Sequence, residues 1–215
     1  MQHIDGCIFP CPIGKFSVSL AVSELKELGF TGAVFIESKT QIVARNDFNL
    51  YPASYVTSPG IREIQKEIQG ASRLGRLCMV RAGESTVNRS ILTYPGVHIL
   101  CDLHNAPKNA FDRVCAQIAS ERGVAVDLRL RPLWEQRGTA RQRVIRLYEE
   151  IFLLHKRYGF PMTISSGAQT ITDIRSFRSM EILLNEIGMD QKMIQASWET
   201  VPDLIRGVKP VRGVF

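Results

Sequence analysis

The sequence predicts an α/β fold, a distorted TIM-like β/α barrel of about seven strands that forms a single domain over residues 1–215. Short apolar runs alternate with segments of helical periodicity along the chain, which is typical of a parallel sheet with crossover helices. Several of these runs are almost continuously apolar, as strands are when both faces of their sheet are covered. The chain is shorter than a typical eight-unit barrel of about 250 residues, and an open doubly wound sheet is the alternative.

The individual elements follow from the apolar runs and from residues that begin or end helices. Ser17 is a candidate N-cap, Pro59 suits an early helical position, and Gly29 suits a helix end. Predicted strands cover residues 3–9, 32–36, 77–81, 97–102, 124–130 and 162–165. We place one further strand between residues 41 and 51, and a loop over residues 47–57. Predicted helices cover residues 17–28, 58–72, 85–92, 109–122, 139–158, 176–187, 190–198 and 202–206.

Composition argues against several classes of protein. Hydrophobic residues make up 45% of the chain and charged residues 22%, which disfavours disorder, collagen-like structure and a disulfide scaffold. No stretch approaches about 18 consecutive apolar residues, so we expect no transmembrane helix and no membrane partner. The first residues lack a basic flank before an apolar core, so we expect no secretory signal. The five cysteines are odd in number and scattered, which favours reduced thiols, a cytoplasmic location and no zinc site.

Positive charge is concentrated in one part of the chain. The net charge is +6, and residues 122–157 contain nine Lys or Arg residues against four Asp or Glu residues. Because arginine can hold a phosphate through two hydrogen bonds, and clustered bases are the usual footprint of a nucleic-acid partner, this segment is a candidate nucleic-acid-binding face. In its long helix Arg143 and Arg146 are neighbours at i, i+3 and should face solvent or a partner. The alternative is a solvated helix face that favours solubility.

Two strand ends carry other polar groups. His104 follows Asp102 where barrel enzymes place their chemistry, so this pair is a candidate metal or acid–base site, with a polar strand–helix turn as the alternative. Ser165, Ser166 and Gly167 suit a tight turn whose backbone N–H groups can receive a phosphate, as in a small-molecule barrel enzyme, with a purely structural turn as the alternative. No G-x-G-x-x-G follows a strand and no P-loop is present, so the sequence supports neither a dinucleotide site nor a P-loop NTPase.

Charged residues also alternate along the strand predicted at residues 124–130. Asp127 and Arg129 share one face and are expected to pair, because a charge in a barrel strand must be paired or reach the rim. Arg131 is then left for the rim. Arg175 stands at a predicted helix start, where a base opposes the helix dipole, which points to a role outside the helix.

Three blocks of sequence carry a resemblance to a known family. The first is VAVDLRLRPL at residues 124–133, and the second is residues 140–146 of the following helix. The third is ISSGAQ at residues 164–169, with DIRS shortly after it. Residues 87–89 add a weaker match. In this order the blocks resemble ribonuclease P protein component 3, an archaeal family related to a eukaryotic ribonuclease P subunit, over about residues 83–205.

This family is similar in fold to the polymerase-and-histidinol-phosphatase metal enzymes, which are distorted β/α barrels. Those enzymes usually begin with an H-x-H pair and carry a late S-D-A-H turn, whereas this sequence reads DGCIF at residues 5–9 and SGAQ at residues 166–169. Because divalent-metal catalysis needs several converging ligands, we expect no metal on this chain. A metal-dependent phosphoesterase with an atypical site around Asp5, Asp102 and His104 is the alternative.

The resemblance implies a place in an RNA–protein enzyme. Ribonuclease P removes the 5′ leader from precursor tRNA, and in this family the RNA subunit performs the hydrolysis, with Mg²⁺ held by RNA. This chain would then be non-catalytic and carry no cofactor. Its partners would be the ribonuclease P RNA, precursor tRNA through the holoenzyme, and another protein subunit. The predicted RNA contacts are Arg89, Arg131, Arg141, Arg146 and Arg175. Arg129, Lys156 and Arg157 form a second predicted group.

Overall fold

Seven short strands form one parallel sheet in the computed structural model, which describes residues 2–36 and 48–207. The strands pair in chain order, and every pair is parallel. They are β1 (Ile4–Ile8), β2 (Gly32–Ile36), β3 (Asn49–Val56), β4 (Leu77–Arg81), β5 (Ile99–Cys101), β6 (Ala125–Arg129) and β7 (Met162–Ser165). A bridge between Ile8 and Ala168 brings β1 beside the segment after β7, so the sheet curls into a nearly closed barrel. The predicted barrel class is confirmed.

Helices pack around the outside of this sheet. They are α1 (Val18–Glu27), α2 (Ile61–Arg73), α3 (Ser85–Thr93), α4 (Arg113–Arg122), α5 (Arg131–Glu135), α6 (Gly138–Tyr158), α7 (Phe177–Glu186) and α8 (Gln191–Gly207). Ser17 caps α1 as predicted, and Ser176 caps α7, since each hydroxyl accepts a backbone N–H of the first turn. Short 3₁₀ turns at Leu103–Asn105 and Ile171–Asp173 follow β5 and β7.

The region before α2 differs from the sequence-based prediction. The predicted loop over residues 47–57 is wrong, because β3 occupies most of it and pairs with a strand on each side. The strand predicted between residues 41 and 51 falls largely outside the described residues. The helix that follows begins at Ile61, so Pro59 precedes its N-cap, Gly60, instead of standing in its first turn.

The end of the described chain also differs. The two helices predicted at residues 190–198 and 202–206 are one helix, α8, which continues through Pro202. Proline is costly inside a helix because it lacks an N–H and crowds the preceding turn, and this cost is the reason the sequence predicts an interruption. α8 packs on both β1 and β7, so tertiary contacts support it along its length.

Two apolar cores lie on opposite sides of the sheet. The larger core fills the space between strands and helices and includes Phe35, Val126 and Tyr148. The smaller fills the barrel interior, where Ile4 shares a buried cluster with Val201 of α8. The interior cluster also contains Cys7, Phe9, Val34, Ile36, Ala53, Leu77, Met79, Ile99, Cys101 and Ala125. α8 therefore covers the barrel at the amino ends of its strands.

All five cysteines are free thiols, four of them buried and Cys11 exposed. Burial raises the pKa of each buried thiol above its ordinary value, which keeps these side chains protonated and unreactive. Within residues 2–36 and 48–207 no helix combines the length and apolar character needed to cross a membrane.

Candidate nucleic-acid interface

A buried ion-pair cluster occupies the barrel at the carboxyl ends of its strands. Arg129, the last residue of β6, is 6% exposed and forms ion pairs with Asp102 and Asp127. Its guanidinium carbon lies 5.1 Å from the ring centre of Phe9 and 5.8 Å from that of Tyr55, within reach of cation–π attraction. These five residues are called the Arg129 cluster below. The predicted pairing of Asp127 with Arg129 is confirmed, at 3.4 Å between Oδ2 and Nε, as an ion pair without a hydrogen bond.

Burial and charge attraction oppose one another in the Arg129 cluster. Burial alone lowers the pKa of the guanidinium, but the surrounding anionic groups outweigh burial and raise that pKa well above its ordinary value. Burial raises the pKa of Asp127, although the positive charge of Arg129 acts to lower it. The Tyr55 hydroxyl group donates a hydrogen bond to Asp102. The guanidinium is enclosed, so the RNA contact predicted for Arg129 is wrong: its charge is neutralised inside the protein.

The turn after β7 uses its polar groups within the protein. The backbone N–H of Ser166 donates to Asp5 Oδ1 at 3.0 Å. The N–H of Gly167 donates to the carbonyl oxygen of Cys7 at 3.1 Å. Ser165 and Ser166 have no exposed surface. The phosphate-receiving turn predicted at Ser165, Ser166 and Gly167 is therefore wrong, because its N–H groups bind β1 instead of facing solvent.

Asp5 ties β1 to this turn. Its Oδ1 atom accepts the N–H groups of Cys7, at 3.1 Å, and Ser166, whereas its Oδ2 atom has no hydrogen-bond partner among the described residues. Burial raises the pKa of Asp5 to about 6, although hydrogen bonds from Ser166 and Cys7 act to lower it. The carboxyl group thus serves as a structural acceptor between two segments that are far apart in sequence.

The alternative site predicted around Asp5, Asp102 and His104 does not assemble. Asp5 is engaged by the turn after β7, and Asp102 by Arg129 and Tyr55. His104 lines a surface cleft, and burial lowers its pKa to about 4. In the part of the chain that the structure describes, no group of three or more His, Cys, Asp or Glu side chains is arranged to hold a metal ion.

Basic side chains gather on the surface around the carboxyl ends of the strands, called the carboxyl-end face below. α6 starts at this face and buries Val144, Tyr148, Ile151 and Phe152, whereas its arginines are exposed. Exposed bases of the face include Arg81, Lys108, Arg137, Arg141, Arg143, Arg146 and Arg175. Among the described residues none of these bases forms an ion pair. Their charge is therefore available to an external anion.

Two other arginines on this face that are predicted to contact RNA form ion pairs with carboxylates of the protein. Arg131 pairs with Glu135 at 2.6 Å and with Asp173 at 3.6 Å, and 21% of its side chain stays exposed. Arg89 pairs with Asp112, the N-cap of α4, and 40% of its side chain stays exposed. Each of the two arginines can meet a phosphate only with the part of its guanidinium that the carboxylates leave open.

Arg175 is exposed and held in place by its neighbours. Its guanidinium carbon lies 5.4 Å from the ring centre of Trp134. Its Nη1 group donates to the carbonyl oxygens of Thr172 and, at 3.0 Å, Ile174. The base before α7 thus binds the carbonyls of the preceding 3₁₀ turn, which orients its charge on the surface.

Lys156 and Arg157 lie near the opposite end of α6. Ten residues separate Lys156 from Arg146, or about 15 Å along the helix axis. Lys156 also pairs with Asp190 at 3.7 Å. The structure therefore brings Arg89, Arg131, Arg141, Arg146 and Arg175 to one face but leaves this pair near the amino ends of the strands.

A cleft opens on the carboxyl-end face between the segment after β5 and α6. It has a volume of about 790 Å³, an apolar lining that includes Leu103 and Leu147, and basic side chains that include Lys108 and Arg143. Sequence reasoning does not single out Lys108, because one base in a loop forms no pattern. The only signal for the cleft is the spacing of Ala140, Arg143, Leu147 and Glu150, which places these residues along one side of the helix.

Comparisons with known sequences point to one family. The model of the family described as RNase P subunit p30 matches residues 15–206. Ribonuclease P protein component 3 of Methanosarcina acetivorans is 28% identical over 217 residues, covering 95% of this chain and 88% of that protein. The corresponding protein of Methanosarcina barkeri is 24% identical over 211 residues, with the same coverage.

Solved structures share the fold. A chain of the cryo-EM structure of archaeal ribonuclease P with mature tRNA matches with a TM-score of 0.78 and 18% identity, covering 95% of this chain and 90% of that one. Histidinol phosphate phosphatase of Lactococcus lactis, complexed with zinc, L-histidinol and phosphate, matches with a TM-score of 0.58 and 10% identity, covering 87% and 94%. Because the family model spans most of its length, the chain belongs to the RNase P subunit p30 family.

Proposed function

We propose that this chain is a non-catalytic subunit of ribonuclease P that binds RNA through its carboxyl-end face. As a member of the RNase P subunit p30 family it is a component of an RNA–protein endonuclease that acts on precursor tRNA. In this role the chain holds the catalytic RNA in a compact form, and the RNA performs the hydrolysis.

The observation that carries the proposal is the set of exposed bases on the carboxyl-end face that form no ion pair with described residues. Cationic side chains bind RNA by neutralising phosphates and releasing the counterions condensed around them. Structured RNA is recognised largely through its shape and backbone. A firm barrel that presents arginines at one end suits that kind of contact.

The interior of the barrel supports the non-catalytic part of the proposal. Barrel enzymes build their active sites from groups at the carboxyl ends of the strands. Here Asp102 and Asp127 pair with Arg129, and Asp5 accepts hydrogen bonds from backbone N–H groups. These acidic groups hold the protein together, which leaves them unavailable to activate water or bind a substrate phosphate.

We propose three partners and a cytoplasmic location. The first is the ribonuclease P RNA, the second is precursor tRNA held in the holoenzyme, and the third is another protein subunit. The fold match to a chain of archaeal ribonuclease P with mature tRNA supports these assignments. Mg²⁺ belongs to the RNA in this proposal, since this ion keeps much of its water and is bound well by phosphate oxygens.

The test is cleavage of precursor tRNA by the cognate ribonuclease P RNA with and without this chain, the other protein subunits being present in both reactions. We expect cleavage at limiting Mg²⁺ to depend on the chain, and the chain alone to cleave nothing. Cleavage that is indifferent to its omission would overturn the subunit assignment. Hydrolysis of a phosphate ester by the isolated chain with added divalent ions would favour a phosphoesterase instead.

A further inference from the structure

We propose that the cleft between the segment after β5 and α6 binds one unpaired nucleotide of RNA, whose base enters the cleft while its phosphates meet the basic rim. This inference rests on the proposed function and names the RNA element that this part of the carboxyl-end face binds. The cleft holds about 790 Å³, within the size of ordinary small-molecule sites. A concave site of this size admits a base turned out of its stack, whereas a helical duplex stays on the surface.

The lining suits a nucleobase. Leu103, Val144 and Leu147 provide apolar surface for the faces of a base. Asn109 and Gln136 provide amide groups that can both donate and accept hydrogen bonds. Unpaired bases are recognised by such stacking and by hydrogen bonds to their edges.

His104 adds a ring that stays neutral at physiological pH. Burial lowers its pKa to about 4, with the nearby cations Arg129 and Arg81 acting in the same direction and Asp102 against them. A neutral imidazole offers one donor and one acceptor and can stack on a base. It therefore discriminates among bases without adding a charge.

The rim of the cleft is basic. Lys108, Arg143 and Arg146 line it, whereas Glu150 is its one lining carboxylate in the described part of the chain. These three bases form no ion pair with any described residue. Their charge complements an RNA backbone entering and leaving the cleft, and it disfavours a peptide as the occupant unless that peptide is acidic.

One wall of the cleft is fixed by the barrel interior. Asp102, held by Arg129 and Tyr55, adopts a left-handed backbone conformation with φ 59° and starts the 3₁₀ turn that leads to His104. Asn88 holds the far end of the segment by donating to the carbonyl oxygen of Ala110 at 2.8 Å. A site that is formed before its ligand arrives loses less free energy to ordering on binding.

The test uses the full chain and a short single-stranded RNA of mixed sequence, compared with a duplex of the same sequence and with the single strand carrying abasic positions. Ala140→Phe fills the cleft from an exposed position on α6 without changing the charge. We expect this variant to weaken single-strand binding by about fivefold or more and to leave duplex binding unchanged. Abasic positions should weaken binding to the wild-type chain and make the variant's defect disappear.

Two further variants control this experiment. Gln142→Phe adds the same ring at an exposed position that does not line the cleft, about 160° around the helix axis from Ala140, and should leave both affinities unchanged. Asn109→Gly removes an amide from the cleft at a position with φ 61°, which glycine adopts without strain. It should weaken single-strand binding by roughly twofold to fivefold, with the melting temperature retained.

Each other outcome overturns the proposal. If Ala140→Phe spares single-strand binding while Arg141→Ala and Arg175→Ala weaken it, the cleft assignment fails and the RNA-binding function stands. If the chain binds neither RNA, the proposed function fails as well. If Ala140→Phe abolishes binding of another ribonuclease P protein subunit and spares RNA binding, the cleft is a protein-docking site.

Discussion

Arg129 and Arg141 are the same residue type on neighbouring elements of the barrel, yet their surroundings differ completely. Arg129 is buried between two aspartates and two aromatic rings, whereas Arg141 stands in solvent without an ion pair among the described residues. The buried charge is tied to its partners, and the exposed charge is free to bind a new one. The comparison teaches that an arginine can bind a phosphate only if its guanidinium is not already paired with carboxylates of the same protein.

Removing a buried arginine and removing an exposed one should change the free energy of unfolding by very different amounts. Removing one member of a buried ion pair leaves the other charge in a poorly solvated place, which is strongly destabilising. Removing an exposed charge leaves no buried charge without a partner and usually changes stability little. The Arg129 cluster and the carboxyl-end face should therefore respond in opposite ways to the same substitution.

The largest expected effect is that of Arg129→Ala. Because Asp102 and Asp127 lose their shared cation, we expect the free energy of unfolding to fall by about 3–5 kcal/mol. Urea unfolding followed by circular dichroism measures the loss, with Arg141→Ala as the matched control. A loss below about 1 kcal/mol would show that the Arg129 cluster does not support the barrel.

Asp5→Asn should stabilise the protein in a pH-dependent way. The pKa of Asp5 is about 6 in the fold against 3.8 ordinarily, so the folded protein holds the proton more tightly than the unfolded chain does. The stability contributed by the neutral carboxyl group is therefore present below pH 3.8 and lost as the pH rises through 6, a loss of about 3 kcal/mol.

The measurement for Asp5→Asn is urea unfolding of both proteins at several pH values between about 4 and 8. We expect the variant's advantage to be largest at the alkaline end and to shrink toward the acidic end. Asp127 is present in both proteins, and its negative charge acts to raise the pKa of Asp5. An advantage that stays constant across this range would show that Asp5 does not titrate as its burial implies.

Gly167→Ala compared with Gly159→Ala isolates the packing around Arg129. Both glycines have positive φ, 65° and 71°, so both substitutions strain the backbone. A Cβ atom at Gly167 would lie 2.5 Å from Cγ and Cδ of Arg129, whereas one at Gly159 would have no neighbour within 4 Å. We expect Gly167→Ala to cost about 2 kcal/mol more in unfolding free energy. Equal costs would show that Arg129 moves aside freely.

The smallest effect on stability should come from Arg141→Ala, within about 0.5 kcal/mol of the wild type. Its effect should appear in RNA binding, where the slope of log affinity against log salt concentration falls by about one per lost phosphate contact. Arg157→Ala is the control, since it removes the same charge near the other end of α6. If both variants change the salt dependence equally, the RNA-binding surface is not confined to the carboxyl-end face.

Much of the barrel could be predicted from the sequence because burial on both faces leaves continuous apolar runs. β2 and β4 lie where such runs predict them. β3 could not be found in this way, because polar residues interrupt it and Pro52 lacks a backbone N–H. Its pairing partners come from two other strands, and this information is absent from the local sequence.

The candidate site, like the barrel, could be predicted from the sequence only in part. The apolar stripe of α6 predicts that Arg141 and Arg146 face outward, and they do. The period of two along β6 predicts that Asp127 and Arg129 share a face, but it cannot distinguish the barrel interior from the rim. That outcome depends on Asp102, Phe9 and Tyr55, which lie within or directly after other strands. The cleft depends on loop geometry, which sequence periodicity does not describe.

The position of α8 has a consequence for the synthesis of this protein. Ile4 of β1 and Val201 of α8 belong to one buried cluster inside the barrel. A nascent chain therefore keeps the amino end of its barrel uncovered until residues around position 201 have left the ribosome. During that interval the interior apolar side chains of β1, β2 and β4 are exposed to solvent, chaperones and neighbouring nascent chains. The barrel can be completed only after α8 has been synthesised, so its folding yield in cells should depend on how well these early strands are shielded until then.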